Sequence, residues 1–186
     1  MNTNEIAVTG ANQLAQCLSR VREDQLDGLT DAIVTARGIY VCGAGRSLLM
    51  LRCMAMRLMH LGFTSYVVGD TTTPAFGEKD LLIVASGSGS TSSVTNVAAK
   101  AKLLGGTLAV ITTRADSALG RMADHLVEVP VLTDQVDGEC VGRPLLPGGS
   151  LFEQATLLIG DAMVLPLGAR HRIPTDQAFA LHANLE

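Results

Sequence analysis

The chain has 186 residues, 47% of them apolar, and a net charge of −4. That length suits one domain with a substantial core, and so much apolar character without low-complexity runs excludes a disordered chain. Aromatics make up only 3%, with no Trp, which excludes a surface built for stacking on bases, and the acidic balance gives no general attraction to nucleic acid.

The four cysteines, Cys17, Cys42, Cys53 and Cys140, show no CxxC spacing and no metal-type clustering. Cys42 and Cys53 lie in apolar runs and read as small buried hydrophobes. The opening MNTNEIAVTG lacks the basic and apolar regions of a signal peptide. Asp161 interrupts the best candidate for a membrane span. The expectation is a cytoplasmic protein without membrane or nucleic-acid partners.

In chain order, residues 10–36 read as a helical segment with a broken stripe of Leu14, Leu18, Val21, Leu26, Leu29 and Ile33. Short β-branched runs follow at Ile39–Cys42, Thr64–Val68, Leu81–Ala85, Thr107–Ile111 and Leu126–Val129. Helical patterns at 46–61, 90–104 and 150–165 stand between or after them. Continuous apolar strands alternating with helices predict a five-stranded parallel sheet covered on both faces, an α/β doubly wound fold of flavodoxin type. The 46–61 helix is apolar nearly all round and is expected to be well buried. Thr133–Gly149, rich in Gly and Pro, is a long irregular connection of the kind that often carries function. The whole chain reads as one domain: helical segment 10–36, core 37–167, and a tail 168–186 that closes the site.

Two turns carry the chemistry. The first strand ends in Gly43-Ala44-Gly45-Arg46-Ser47 and enters a helix directly. Glycines let backbone approach a ligand closely, and a helix start offers free N–H groups and partial positive charge. The bland alternative is a tight turn with Ser47 as helix cap. The third strand ends in Ser86-Gly87-Ser88-Gly89-Ser90-Thr91-Ser92-Ser93, more hydroxyls than one cap needs. Small donors and the absence of a carboxylate suit a phosphate. In strand order 2-1-3-4-5 the two turns converge at the switch point, where doubly wound folds bind ligands. A dinucleotide site fits less well, because the first turn lacks the G-x-G-x-x-G spacing.

GAGRS, MRLMHLG, GDTTTP, SGSGST, GGSLFEQ and HANLE, in this order across residues 10–186, resemble the 6-phospho-3-hexuloisomerases of the sugar-isomerase (SIS) domain family. The resemblance implies interconversion of D-arabino-hex-3-ulose 6-phosphate and fructose 6-phosphate through a cis-enediol, in formaldehyde fixation by the ribulose monophosphate route, with no metal or organic cofactor. It implies that Gly45, Arg46, Ser47 and Ser86 to Thr91 (Ser86, Gly87, Ser88, Gly89, Ser90, Thr91) bind the substrate. It further implies a homo-oligomer, dimer or tetramer, with the active site at a subunit interface, and hexulose-6-phosphate synthase as functional partner. Where many SIS loops read SGSGET, Ser90 stands in place of Glu, which removes a negative charge near the phosphate. Leu48 stands where Gly is frequent.

Enediol chemistry needs a base that takes a proton from one carbon and returns it to the next. Glu153, in SLFE, matches the family's glutamate; the residues alone equally allow a capping box with Ser150. His182, in the terminal HANLE, is the candidate for the second proton transfer, against the alternative of a frayed terminus. His60 ends the helix that Ser47 begins, so it either serves a neighbouring subunit's site or caps its helix as a cation. Asp70 and Thr71 either bond sugar hydroxyls or shape a turn. Arg46 is placed to stabilise an enediolate oxygen. Two alternative functions remain: an arabinose 5-phosphate type of SIS isomerase, and a non-catalytic sensor of sugar phosphates, against which the absence of a DNA-binding segment and the presence of Glu153 argue.

Overall fold

The computed structural model describes residues 1–131, 144–171, 181–182 and 184–185. Five parallel strands, β1 (Ile39–Gly43), β2 (Ser65–Val67), β3 (Leu81–Ala85), β4 (Thr107–Thr112) and β5 (His125–Glu128), form one sheet in the order β2-β1-β3-β4-β5. The registers pair Val41 with Ile83 and Ile83 with Ala109. Alternate residues of each strand point to opposite faces, and both faces are buried. Ile39, Val41, Leu81, Ile83, Ala109 and Ile111 pack with helices α1 (Thr3–Leu18), α2 (Glu23–Thr35), α3 (Arg46–His60), α6 (Ser150–Ala162) and α7 (Val164–His171). Tyr40, Cys42, Leu82, Val84, Leu108 and Val110 pack with α4 (Ser92–Leu103) and the short α5 (Ala118–Met122). Helices α3 and α4, which follow the neighbouring strands β1 and β3, thus leave to opposite faces. In doubly wound folds that divergence, at the carboxyl edge of the sheet, is where ligands bind.

Three local expectations change. The helical segment starts at Thr3 rather than near residue 10, because Asn2 and Glu5 form a reciprocal capping box, and it is two helices separated at Ser19–Arg22. The 150–165 helix breaks at Met163 into α6 and α7. Ser150–Arg170 has the length and mean hydropathy of a membrane span, but half of it is packed inside the fold and Asp161 pairs with Arg57 at 2.9 Å. It is a core helix pair. Finally, α3 is not buried all round: Leu51, Met54, Ala55 and Leu58 face the core, whereas Leu49, Met56 and Met59 are exposed. Cys42 is buried as expected, and Cys53 only partly so. Most of Thr133–Gly149 and of the tail 168–186 lies outside the described residues.

Candidate active site at the carboxyl edge of the sheet

Strand β1 runs into α3 through Gly45, whose φ of 55° lies in the left-handed region that favours glycine. A side chain on Gly43 would meet the backbone of Leu48 at 3.0 Å and the Ala85 carbonyl oxygen at 3.3 Å, so only glycine lets the turn sit this close to β3. Gly45 is the cap residue of α3, and no side chain caps the helix. Ser47 is therefore not a cap but lies in the first turn, where no acidic residue stands. The amides there are left for an anion.

The second turn is more tightly held. Ser86 is buried and its hydroxyl bonds Thr91 Oγ1 at 3.1 Å. The Gly87 carbonyl oxygen accepts from Thr113 Oγ1 at 2.8 Å and Thr112 Oγ1 at 3.2 Å. Gly89, with φ of 62°, presses on Ser117: an added Cβ would lie 2.0 Å from Ser117 Oγ. Ser88 and Ser90 are exposed at the tip, their hydroxyls 3.3 Å apart. Thr91 caps α4 without a side-chain bond, and the first turn of α4 is also free of acids. Sequence reasoning missed Thr112, Thr113 and Ser117 as the frame of this turn. Their signal was there, in hydroxyls directly after the apolar strand that neighbours β3.

The third element is the start of α6. Gly149 caps it, and Ser150 Oγ donates to Pro147 O at 2.7 Å. The capping box is thus not formed, and the Glu153 carboxylate is turned instead to Arg46, whose Nε donates to its Oε2. Glu153 is 12% exposed and Arg46 61%, so the carboxylate looks out from a recess while the guanidinium stands in solvent. Two contacts fix α6 against α3 in this register. Gly160 lets Met54 approach, with 3.2 Å from its would-be Cβ to Met54 Cβ, and Arg57 pairs with Asp161 at 2.9 Å. Phe152 lies against Gly87 and joins α6 to the second turn; sequence reasoning did not single it out. Arg46, Ser47, the Ser86–Thr91 turn and Glu153 therefore meet at one edge.

The remaining candidates lie elsewhere. Asp70 follows β2, its carbonyl accepts from Thr73 N at 3.0 Å in a turn, and its carboxylate takes Arg52 Nη2 at 2.7 Å. Thr71 is exposed in the same turn. His60 is 4% exposed and its ring stacks on His182, centroids 5.2 Å apart. Burial first, then the neighbouring His182 and Arg57, push the His60 imidazole below its ordinary value. Its Nδ1 has no hydrogen-bond partner. A buried ring whose charged form is disfavoured does not suit the cationic helix cap, one of the two roles the sequence offered. From Arg46 to His60, fourteen rises of about 1.5 Å separate this histidine pair from Glu153 by about 20 Å within the protomer. No group of three metal-binding side chains occurs among the described residues.

Two acid-free helix starts and a carboxylate–guanidinium pair meet at the switch point of a doubly wound sheet, an arrangement that suits a small anionic ligand such as a phosphate ester. A family model for the SIS domain matches residues 32–138. The 3-hexulose-6-phosphate isomerase of Bacillus subtilis (strain 168) is 40% identical over 187 residues, covering all of both chains. That of Mycobacterium gastri is 40% identical over 99% of this chain and 91% of the relative. A solved Methanococcus jannaschii structure, whose description infers 3-hexulose-6-phosphate isomerase function, covers 100% of both chains at 34% identity with a TM-score of 0.80. This chain belongs to the SIS domain family and, within it, to the group of 3-hexulose-6-phosphate isomerases.

Proposed function

We propose that the chain is an isomerase that interconverts D-arabino-hex-3-ulose 6-phosphate and fructose 6-phosphate. The observation that carries this reading is the Glu153 carboxylate, held by Arg46 beside both glycine- and hydroxyl-rich turns rather than spent on capping α6. The phosphate binds the Ser86–Thr91 turn and the start of α4, with Gly45 and Ser47 on its other side. Its hold is the same in ground and transition states. Glu153 takes the proton from C3 of fructose 6-phosphate and returns it to C2, through a 2,3-cis-enediol. Arg46 faces the oxygen on which charge develops. Asp70, engaged with Arg52 of α3, and Thr71 take no part in this step.

A second proton moves between O3 and O2 as the carbonyl changes place, and this transfer is assigned to His182. Within its own protomer His182 lies on His60 at the far end of α3, so it serves the site of an adjacent subunit in a homo-oligomer. The substrate comes from an aldol addition of formaldehyde to ribulose 5-phosphate, the work of a hexulose-6-phosphate synthase. A coupled assay tests the reading: synthase, formaldehyde and ribulose 5-phosphate supply the hexulose, a chelator is present, and fructose 6-phosphate is detected. Turnover that depends on this protein is expected; its absence, with fructose 6-phosphate still raising the melting temperature, points to a sensor.

A further inference from the structure

The crossover from β2 to β3 carries no helix. Parallel strands are usually joined by one, but here the connection is an irregular loop, and it runs on the α4 side of the sheet, where Val68 and Phe76 pack with Tyr40. Between this loop and α4 lies a cavity of about 380 Å³, floored by Tyr40 and Leu82 and walled by Pro74, Phe76, Val97 and Leu104. Its size and apolar lining are those of a small-molecule site. The loop is tied in place by its own contacts. The Tyr40 hydroxyl donates to Ala75 O at 3.1 Å and Thr73 Oγ1 to Val67 O at 2.6 Å. The Phe76 ring stands edge-on to Tyr40, centroids 5.1 Å apart, and Gly106 makes room for it, since a Cβ there would lie 2.2 Å from Phe76 Cε1. The cavity is therefore preformed. In a chain with only two Tyr and four Phe, Tyr40, Tyr66 and Phe76 gather at this place.

The polar groups of the wall divide into two sets. The Tyr40 and Thr73 hydroxyls are spent on backbone carbonyls. The Asn96 amide and the Lys100 ammonium, both exposed on α4, make no hydrogen bond or ion pair among the described residues. Four residues apart, they stand on one side of the helix. Lys100 is the only charged side chain among the described residues of the wall, whereas its neighbour Lys102 is matched by Asp124. An apolar floor edged by aromatic rings suits a flat apolar body, and the unmatched cation at its rim suits an anion attached to that body. We propose that this cavity binds a small aromatic carboxylate, its ring between Tyr40, Phe76 and Val97 and its carboxylate on Lys100 and Asn96. The site is distinct from that of Glu153: Asn96 and Lys100 lie about 6 and 12 Å along α4 from Ser92, where the helix leaves the phosphate turn. It does not rest on the isomerase reading.

The probe is 2-naphthoate, with 2-naphthamide as its uncharged counterpart. The chain has no Trp and both of its tyrosines lie at the cavity, so naphthoate should quench tyrosine emission as it binds, and calorimetry should count one site per chain. The amide should bind about tenfold more weakly, the scale of one charge-assisted hydrogen bond at a partly exposed position. Lys100→Gln should bring naphthoate down to the affinity of the amide and leave the amide unchanged. Val97→Trp should fill the cavity and abolish binding of both by calorimetry. Saturating fructose 6-phosphate should leave the naphthoate affinity as it was. No saturable binding, equal affinities for acid and amide, a Lys100→Gln protein that still prefers the acid, or displacement by fructose 6-phosphate overturns the proposal. Should Val97→Trp fail to fold, the Lys100→Gln comparison still decides it.

Discussion

Replacing Gly89 by Ala tests whether the second turn has the shape on which phosphate binding depends. Gly89 sits at φ 62°, a region that costs an L-residue about 1–2 kcal/mol. The new methyl would lie 2.0 Å from Ser117 Oγ, 2.4 Å from Ser117 Cβ and 3.0 Å from Thr112 Oγ1. Ser117 cannot swing aside freely, because its hydroxyl caps α5 by accepting from Gly120 N at 3.1 Å and Leu119 N donates to Gly89 O at 2.9 Å. Overpacking of this kind costs about 1–3 kcal/mol, so the variant should lose about 3 kcal/mol in all. For a chain of this size that is a fall in Tm of about 6–12 °C. The KM should also rise, because the Ser88 and Ser90 hydroxyls and the first amides of α4 move with the turn. Ser117→Gly alone should cost only a few tenths of a kcal/mol as a cap change, yet it should recover about 1–2 kcal/mol in the Gly89→Ala background, since it removes the two nearest atoms. Thermal melts of the four proteins form a double-mutant cycle. Strict additivity, or a Gly89→Ala protein with the wild-type Tm, would refute the packing argument.

Ser88→Ala should raise KM and leave kcat near wild type, because the phosphate is bound alike in ground and transition states; an unchanged KM would remove Ser88 from the site. Glu153→Gln should lower kcat by about 10²–10⁴-fold while fructose 6-phosphate still raises the Tm; near-normal turnover would remove Glu153 as base. The lowered pKa of buried His60 means the fold favours the neutral ring, whereas the unfolded chain takes up a proton near pH 6.5. Stability should therefore be full above that value and fall as the pH drops through it. The groups acting on the ring are His182 and Arg57, and His60→Leu should flatten the Tm curve between about pH 7 and 5. Parallel curves for the two proteins would contradict this.

The sheet was legible because its strands are buried on both faces and read as unbroken apolar runs, and the two ligand turns were legible because glycine and serine crowd the same strand ends. Other features needed tertiary information. The start of α1 was visible in the Asn2–Glu5 spacing and went unused. Whether Glu153 caps its own helix or pairs with Arg46 depends on α6 lying against α3. That in turn depends on Gly160 admitting Met54, a relation no local pattern encodes. The apolar residues of α3 read as a helix buried all round, because a sequence does not distinguish a core face from a face awaiting another surface. The pairing of His60 with His182 joins residues far apart in the chain, and spacing along the helix gave only the distance that separates His60 from Ser47.

The central claim is that Glu153 moves a proton between C3 and C2 of a hexulose phosphate, and isotope exchange reads that step directly. Fructose 6-phosphate in deuterium oxide, followed by proton NMR with the enzyme present, should lose its C3 proton signal while both C1 protons persist. The Glu153→Gln protein should leave all three in place. Exchange at C1, exchange at C3 that survives in Glu153→Gln, or no exchange by the wild-type protein would contradict the account.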